Sequence, residues 1–326
     1  MKKSRLMLAL ATGVILAGMS TGIFAYLSIP GTNARASQLP EAAAWMPASA
    51  SFVAYLDVDS LLASPLSDEW MARQETLEET EKFREATGLD PWNDFRALSI
   101  SSRMSEDGKL WGIALSGELD PERLVSVIEE HRRLERSTYQ DTTLYTFNNE
   151  TQEGKESHAL AFPGPATALF GSPEQVRTML DVGAGREPAA SDGPLGRWLV
   201  ELPLDETFWC VGSADAGFDR LMLRAPSDSP SVPPLQSFAI SGQLAADINI
   251  LARGEAADPE AALKLVDVVR GFVALGSLQH QARPEVGAVL DSIRIESIDN
   301  RVEASLSVPY DTIRRLASQS REPEEK

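Results

Sequence analysis

Three histidines and one cysteine are the side chains of this 326-residue chain best suited to move a proton or hold a soft metal near neutral pH. None of His131, His158 and His280 has a histidine four residues away or an adjacent Glu-x-x-His, the spacings that set two ligands on one helical face. His131 is the candidate for a functional imidazole. It shares an apolar stripe with Leu124, Val127, Ile128 and Leu134, while Glu129 and Glu130 face away. A histidine that packs at a core's flank is the plainer reading of that position, and a base or ligand the alternative. His158 falls near the start of a strand, and His280 follows a helix end, where a cation is welcome.

Nucleophile and phosphate signatures are missing: there is no Gly-x-Ser-x-Gly, Ser-x-x-Lys, phosphate loop or Gly-x-Gly-x-x-Gly. Cys210 sits in the apolar run Thr207 to Gly212 and reads as a buried, inert thiol. A single cysteine also excludes an internal disulfide and any cysteine-built zinc or iron–sulfur centre. Asp57-Val58-Asp59 offers two carboxylates to a divalent cation. At a strand end, however, the two are expected on opposite faces, with Asp59 acting as the N-cap for Ser60-Leu61-Leu62. The glutamates between residues 75 and 85 lack the glycine and spacing of a calcium loop and read as a solvated face. No cofactor and no metal is implied.

The elements that would position these groups follow from hydrophobic period and turn chemistry. Strands are expected at 51–57, 97–104, 109–117, 142–148, 157–162, 166–170, 207–212, 236–244, 247–253, 292–298 and 301–308. Helices are expected at 67–86, 120–136, 172–183, 215–223, 258–277 and 310–317, with a short helical piece at 41–46. The helix over 258–277 is apolar on more than one stripe and is expected to be buried against a sheet, a groove or dimer face being the alternative. Two helices open with Asp-Pro-Glu, at Asp120 and at Asp258, each after a hairpin. Their offset of 138 residues sets Leu124, Val127, Ile128, His131 and Leu134 on Ala262, Leu265, Val266, Val269 and Phe272. The order of elements therefore predicts an α+β fold, a duplicated unit of antiparallel β-hairpins with helices packed on the sheet.

The N-terminus decides the expected compartment. Lys2, Lys3 and Arg5 precede twenty-four uncharged residues, Leu6 to Ile29, closed by Pro30-Gly31. As a helix this run reaches about 36 Å, enough to span a bilayer, with Leu6, Leu10, Ile15, Phe24 and Leu27 among its anchoring side chains. A basic flank stays in the cytoplasm, so the body is expected outside it. A cleaved signal peptide is the competing reading, with Ala34 and Ala36 forming a small-x-small cleavage pattern. The first is a single-pass membrane protein, the second a periplasmic or secreted one. Without a cysteine just after the apolar run, a lipoprotein anchor is excluded. The net charge of −18 becomes −22 once the four cations of residues 1–36 are set aside. So acidic a body disfavours nucleic acid and anionic lipid as partners.

The expected division is a leader over 1–30, a spacer over 31–50, a first repeat over 51–182, a connecting segment over 183–206, a second repeat over 207–318 and a charged tail over 319–326. The run Phe52-Val53-Ala54-Tyr55-Leu56-Asp57-Val58-Asp59-Ser60-Leu61-Leu62-Ala63-Ser64-Pro65-Leu66, followed by Thr87-Gly88-Leu89-Asp90-Pro91, resembles a loose set of uncharacterised exported bacterial proteins. That resemblance implies an N-terminal signal or anchor and a duplicated α+β body, and no assigned activity. The reading that results is an exported, membrane-tethered cell-envelope protein, non-enzymatic, that binds or scaffolds an envelope protein partner. An envelope hydrolase built from Asp, Glu and His131 and a carrier of an apolar ligand, held between a sheet and the 258–276 helix, are the alternatives.

Overall fold

A computed structural model describes residues 39–67, 74–90, 92–106, 108–151, 154–214, 234–279 and 284–319. The twelve strands among them pair antiparallel, with helices on the sheet, so the class is α+β. Strands β1 (Phe52–Asp57), β2 (Phe95–Ser105), β3 (Gly108–Gly117), β4 (Glu135–Tyr139), β5 (Thr142–Thr151), β6 (Gly154–Gly164), β7 (Thr167–Gly171), β8 (Phe208–Ser213) and β9 (Leu235–Leu244) precede β10 (Asp247–Ala256), β11 (Arg294–Ile298) and β12 (Arg301–Pro309). The helices are α1 (Val58–Leu62), α2 (Gln74–Thr87), α3 (Pro121–His131), α4 (Pro173–Gly183), α5 (Gly196–Glu201), α6 (Pro259–Gln279), α7 (Pro284–Asp291) and α8 (Tyr310–Gln319).

The chain forms two compact units. Among the described residues the larger takes 39–214 and 237–244, and the smaller 234–236 and 245–319. In the larger unit the strands run β9-β8-β1-β2-β3-β7-β6-β5-β4. One face of that sheet carries Val53 and Tyr55 of β1, Ala114 of β3, Leu169 of β7 and Trp209 and Val211 of β8 into a buried core. Helix α4 lies against β3, β6 and β7, and adds Val176, Met179 and Leu180 at the i, i+3, i+4 spacing of a core-facing stripe. Helix α5 contributes Trp198 and Leu199, both almost fully buried. Residues 183–206, expected as a join, thus supply part of this core: Leu195, Leu199 and Leu202 alternate with turn-forming Gly and Pro too closely to show a period.

In the smaller unit β12 lies between β10 and β11, and α6 packs Ala262, Leu265 and Val266 on Ile295, Val302 and Ala304. The expected burial of α6 is partial: Val269 and Val273 also pack on this core, but Leu263, Phe272, Leu275 and Leu278 are 58%, 51%, 55% and 64% exposed. Both Asp-Pro-Glu helices open with the same cap: Asp120 Oδ1 accepts the Arg123 N–H at 3.0 Å, and Asp258 Oδ1 accepts the Ala261 N–H at 2.8 Å. Helix α3 stops at His131, where the expectation ran to residue 136. Arg132 is extended and closes the helix, and Glu135–Tyr139 becomes edge strand β4, whose four outward polar residues hide its strand character. The helix expected at 215–223 lies outside the described residues.

Candidate functional site

The site with the best-defined chemistry lies in the larger unit where β1 turns into α1. In register, Asp57 of β1 lies opposite Ala97 of β2, which lies opposite Ser116 of β3, and this row shares a sheet face with Tyr55, two residues earlier on β1. A cavity of about 240 Å³ opens there, lined by Tyr55, Asp57, Asp59, Glu41, Arg96 and the floor residues Ala97 and Ser116. The pairing of β2 and β3 shifts register between Phe95 and Ala97, a bulge beside the cavity that brings Arg96 into its lining. Arg96 donates to Glu118 at 2.7 Å. The wall at Gly117 admits no side chain, because a Cβ there would lie 1.9 Å from the Asp94 carbonyl oxygen.

The two aspartates line one cavity, which corrects their expected separation onto opposite faces. Strand alternation ends at Asp57, and the first helical turn rotates Asp59 back to the same side. The cap is also reassigned: Asp57 Oδ1 accepts the Ser60 N–H at 2.8 Å, and Asp59 sits in the first turn beside it. Asp57 keeps a second carboxylate oxygen. Tyr55 is 8% exposed, stacks on Trp209 at 5.4 Å, and its pKa is pushed up to about 12 by burial and then by the charges of Asp57 and Asp59. Its hydroxyl is therefore neutral at any physiological pH, a donor and acceptor rather than a base.

A second constellation escaped the sequence reading. His158 of β6 is buried among Trp111, Phe147 and Phe170, whose ring centroids lie 5.7, 5.8 and 5.8 Å away. Its Nδ1 is buried without a hydrogen-bond partner, and its Nε2 is 3.9 Å from Glu156. Burial lowers its pKa, against the opposing charge of Glu156. The apolar partners at 160 and 162 were the available signal, since period-two alternation puts His158 on their face. Elsewhere, Glu206 just before β8 is raised to about 7 by burial and then by Asp205. Its Oε2 is buried and unpartnered.

Cys210 is buried, and burial pushes its thiol up to about 12, which makes the thiolate inaccessible to ordinary chemistry. His131 is the last residue of α3. Leu6, Leu10, Ile15, Phe24, Leu27, Ala34, Ala36 and His280 lie outside the described residues. Among those described, no helix is long and apolar enough to cross a membrane. For a carrier with its ligand between α6 and the strands, the contacts of Ala262, Leu265 and Val266 leave that space filled at the N-terminal half of the helix.

The architecture has a counterpart among solved structures. The fold is similar to that of TP0453. Crystal form III of TP0453 superposes with a TM-score of 0.52 at 10% sequence identity, over 87% of this chain and 100% of that one. Crystal forms I and IV of TP0453 give 0.48, at 12% and 10% identity. At such identity the likeness to TP0453 is one of fold. No protein-family model matches the chain. No curated protein matches it.

Proposed function

We propose that this chain is an exported cell-envelope protein, held at the cytoplasmic membrane by residues 6–29, whose acidic body binds or scaffolds a partner rather than catalysing a reaction. The observation that carries the reading is the order Lys2-Lys3-Ser4-Arg5 followed by twenty-four uncharged residues, with every acidic residue placed after them. The inert Cys210 and the neutral phenol of Tyr55 support binding over catalysis, since neither presents a nucleophile or base. The matched caps of α3 and α6 support a body built by duplication.

The test is topology. The full-length chain, expressed in a bacterium with an inner membrane, is followed by fractionation, by N-terminal sequencing and by digestion of intact spheroplasts with added protease. The body is expected in the envelope fraction and open to the protease. Recovery of uncut, protease-shielded chain from the cytosol overturns the proposal. A retained Met1 identifies the tether, and a start at Ser37, just after Ala36, a cleaved signal. Cross-linking in intact cells, followed by purification, then identifies the envelope partner.

A further inference from the structure

The cavity beside β1 combines features that select one ligand chemistry. Three carboxylates, of Glu41, Asp57 and Asp59, line it with one cation, Arg96, which is already bonded to Glu118. The Tyr55 side chain, more than nine-tenths buried, lines it as well, and among the described residues its hydroxyl makes no hydrogen bond to protein. The stacked Trp209 ring holds the phenol in place against the cavity. A volume of about 240 Å³ has room for about eight water molecules and lies just below the range of drug-sized ligand pockets, which favours a small group.

A bare metal ion does not suit this lining. Among the described residues no three Asp, Glu, His or Cys side chains converge as a metal's ligands do. Asp57 has also given one oxygen to the cap of α1. A primary ammonium fits better, because it brings three N–H donors and a positive charge on a narrow stem. It can donate to a carboxylate oxygen of Asp57, to Asp59 and to the phenol oxygen, while the phenol keeps its own proton. The Ala97 and Ser116 floor and the closed wall at Gly117 leave space for a few methylenes.

We infer that the Tyr55–Asp57–Asp59 cavity is a binding site for a primary ammonium group, carried by a small amine or by the lysine side chain of a partner. The inference rests on the binding reading above for its role, and it does not depend on the compartment. A chain of net charge −18 gathers cations without any site, so the test must separate recognition from attraction. The probes are 1,4-diaminobutane, tetramethylammonium and a blocked Ala-Lys-Ala peptide, titrated calorimetrically into the full-length chain in detergent.

One saturable site per chain for diaminobutane is expected, with tetramethylammonium, which has no N–H, bound at least about tenfold more weakly. Tyr55→Phe, which alters no charge, is expected to weaken diaminobutane several-fold, and Asp59→Asn about tenfold or more. Glu260→Gln, at an exposed position of α6 in the other unit, is expected to change nothing. Asp59 is exposed and its amide keeps the helix, so loss of folding does not confuse that arm. Tighter binding of the diamine points to a free amine as the source, and tighter binding of the peptide to a lysine side chain; either upholds the ammonium chemistry. Absence of a saturable site for both, equal binding of tetramethylammonium, or indifference to both variants overturns the inference. A cytosolic location in the topology experiment leaves it standing.

Discussion

Tyr55 and Trp209 occupy directly opposed positions on β1 and β8, and their rings stack at 5.4 Å with planes 21° apart. The indole is fully buried, so the phenol that faces Asp57 and Asp59 is braced from behind by a residue that cannot yield. Offset aromatic pairs add about 0.5–1.5 kcal/mol to the area they bury. Trp209→Ala is expected to cost about 3–5 kcal/mol in chemical denaturation. Trp209→Phe, which keeps a ring, is expected to cost less than half of that. Equal costs would show that the stack is incidental.

Gly117 forms the wall of the same cavity and leaves no room for a methyl group. Gly117→Ala has to displace the Asp94 backbone, and with it the bond from the Glu118 N–H to the Asp94 carbonyl. A loss of about 1–3 kcal/mol is expected from equilibrium unfolding. Gly108, at positive φ and with open space around it, is a useful comparison, because only backbone strain acts there and only a steric clash acts at Gly117.

Glu206 makes stability depend on pH. Its pKa is about 7 in the fold against an ordinary 4.5. A carboxyl raised on folding holds its proton better folded than unfolded, so its stabilising share is complete below about 4.5 and is lost as pH climbs to about 7. Glu206→Gln is expected to raise stability by about 1–3 kcal/mol at pH 8 and to change little at pH 4. Denaturant midpoints at the two pH values check this, and a gain of equal size at both would contradict it.

His158 works in the opposite direction. Its pKa lies below the ordinary 6.5 because burial disfavours the imidazolium. Its share of stability is complete above 6.5 and is lost as pH falls through the lower folded value. Replacing it with Phe, in a setting already made of Trp111, Phe147 and Phe170, is expected to flatten the acid limb of the stability profile between pH 6.5 and pH 4. The chemical shift of the imidazole protons, followed by NMR across that range, gives the titration directly. A midpoint at or above 6.5 would remove the argument.

Cys210 is expected to resist maleimide labelling in the folded protein and to react stoichiometrically in denaturant. Mass spectrometry of the two samples decides it. Labelling without denaturant would show that the core under β8 opens.

Most strands were legible because each carries a period-two pattern bounded by a turn signal, as around Glu106 to Gly108 or Asp299-Asn300. Edge strand β4 was not, since Glu135 to Thr138 are all polar and exposed and only Tyr139 at its end packs on the core. Helix α5 was hidden for the opposite reason. Trp198 and Leu199 sit in a six-residue helix too short for its period to emerge from the surrounding Gly and Pro. At the cavity the acidic pair was legible by type, but not its convergence. That depends on where β1 stops being extended, and a one-residue change in the boundary flips Asp59 to the other side. Tyr55 carried no signal at all, because its hydroxyl gains meaning from Asp57, Asp59 and Trp209 together.

One carboxylate gathers the far edge of the larger unit. Asp181, in the last turn of α4, accepts from the Tyr139 hydroxyl at 2.7 Å, from Gln140 Nε2 at 2.6 Å and from Arg186 Nε at 2.9 Å. Burial would raise its pKa, but these bonds and the Arg186 charge outweigh it and hold the carboxyl below the ordinary range. Gln140, at φ +55°, is the tip of the β4–β5 turn, so the tip is tied to a helix end rather than left to solvent. For anyone fusing a tag or a reporter to this body, the two ends of the sheet's hairpins are not equivalent. The turn at residues 140–141 is a knot that an insertion would untie, whereas the hairpin around Gly108 has open space at its glycine and is the place to splice.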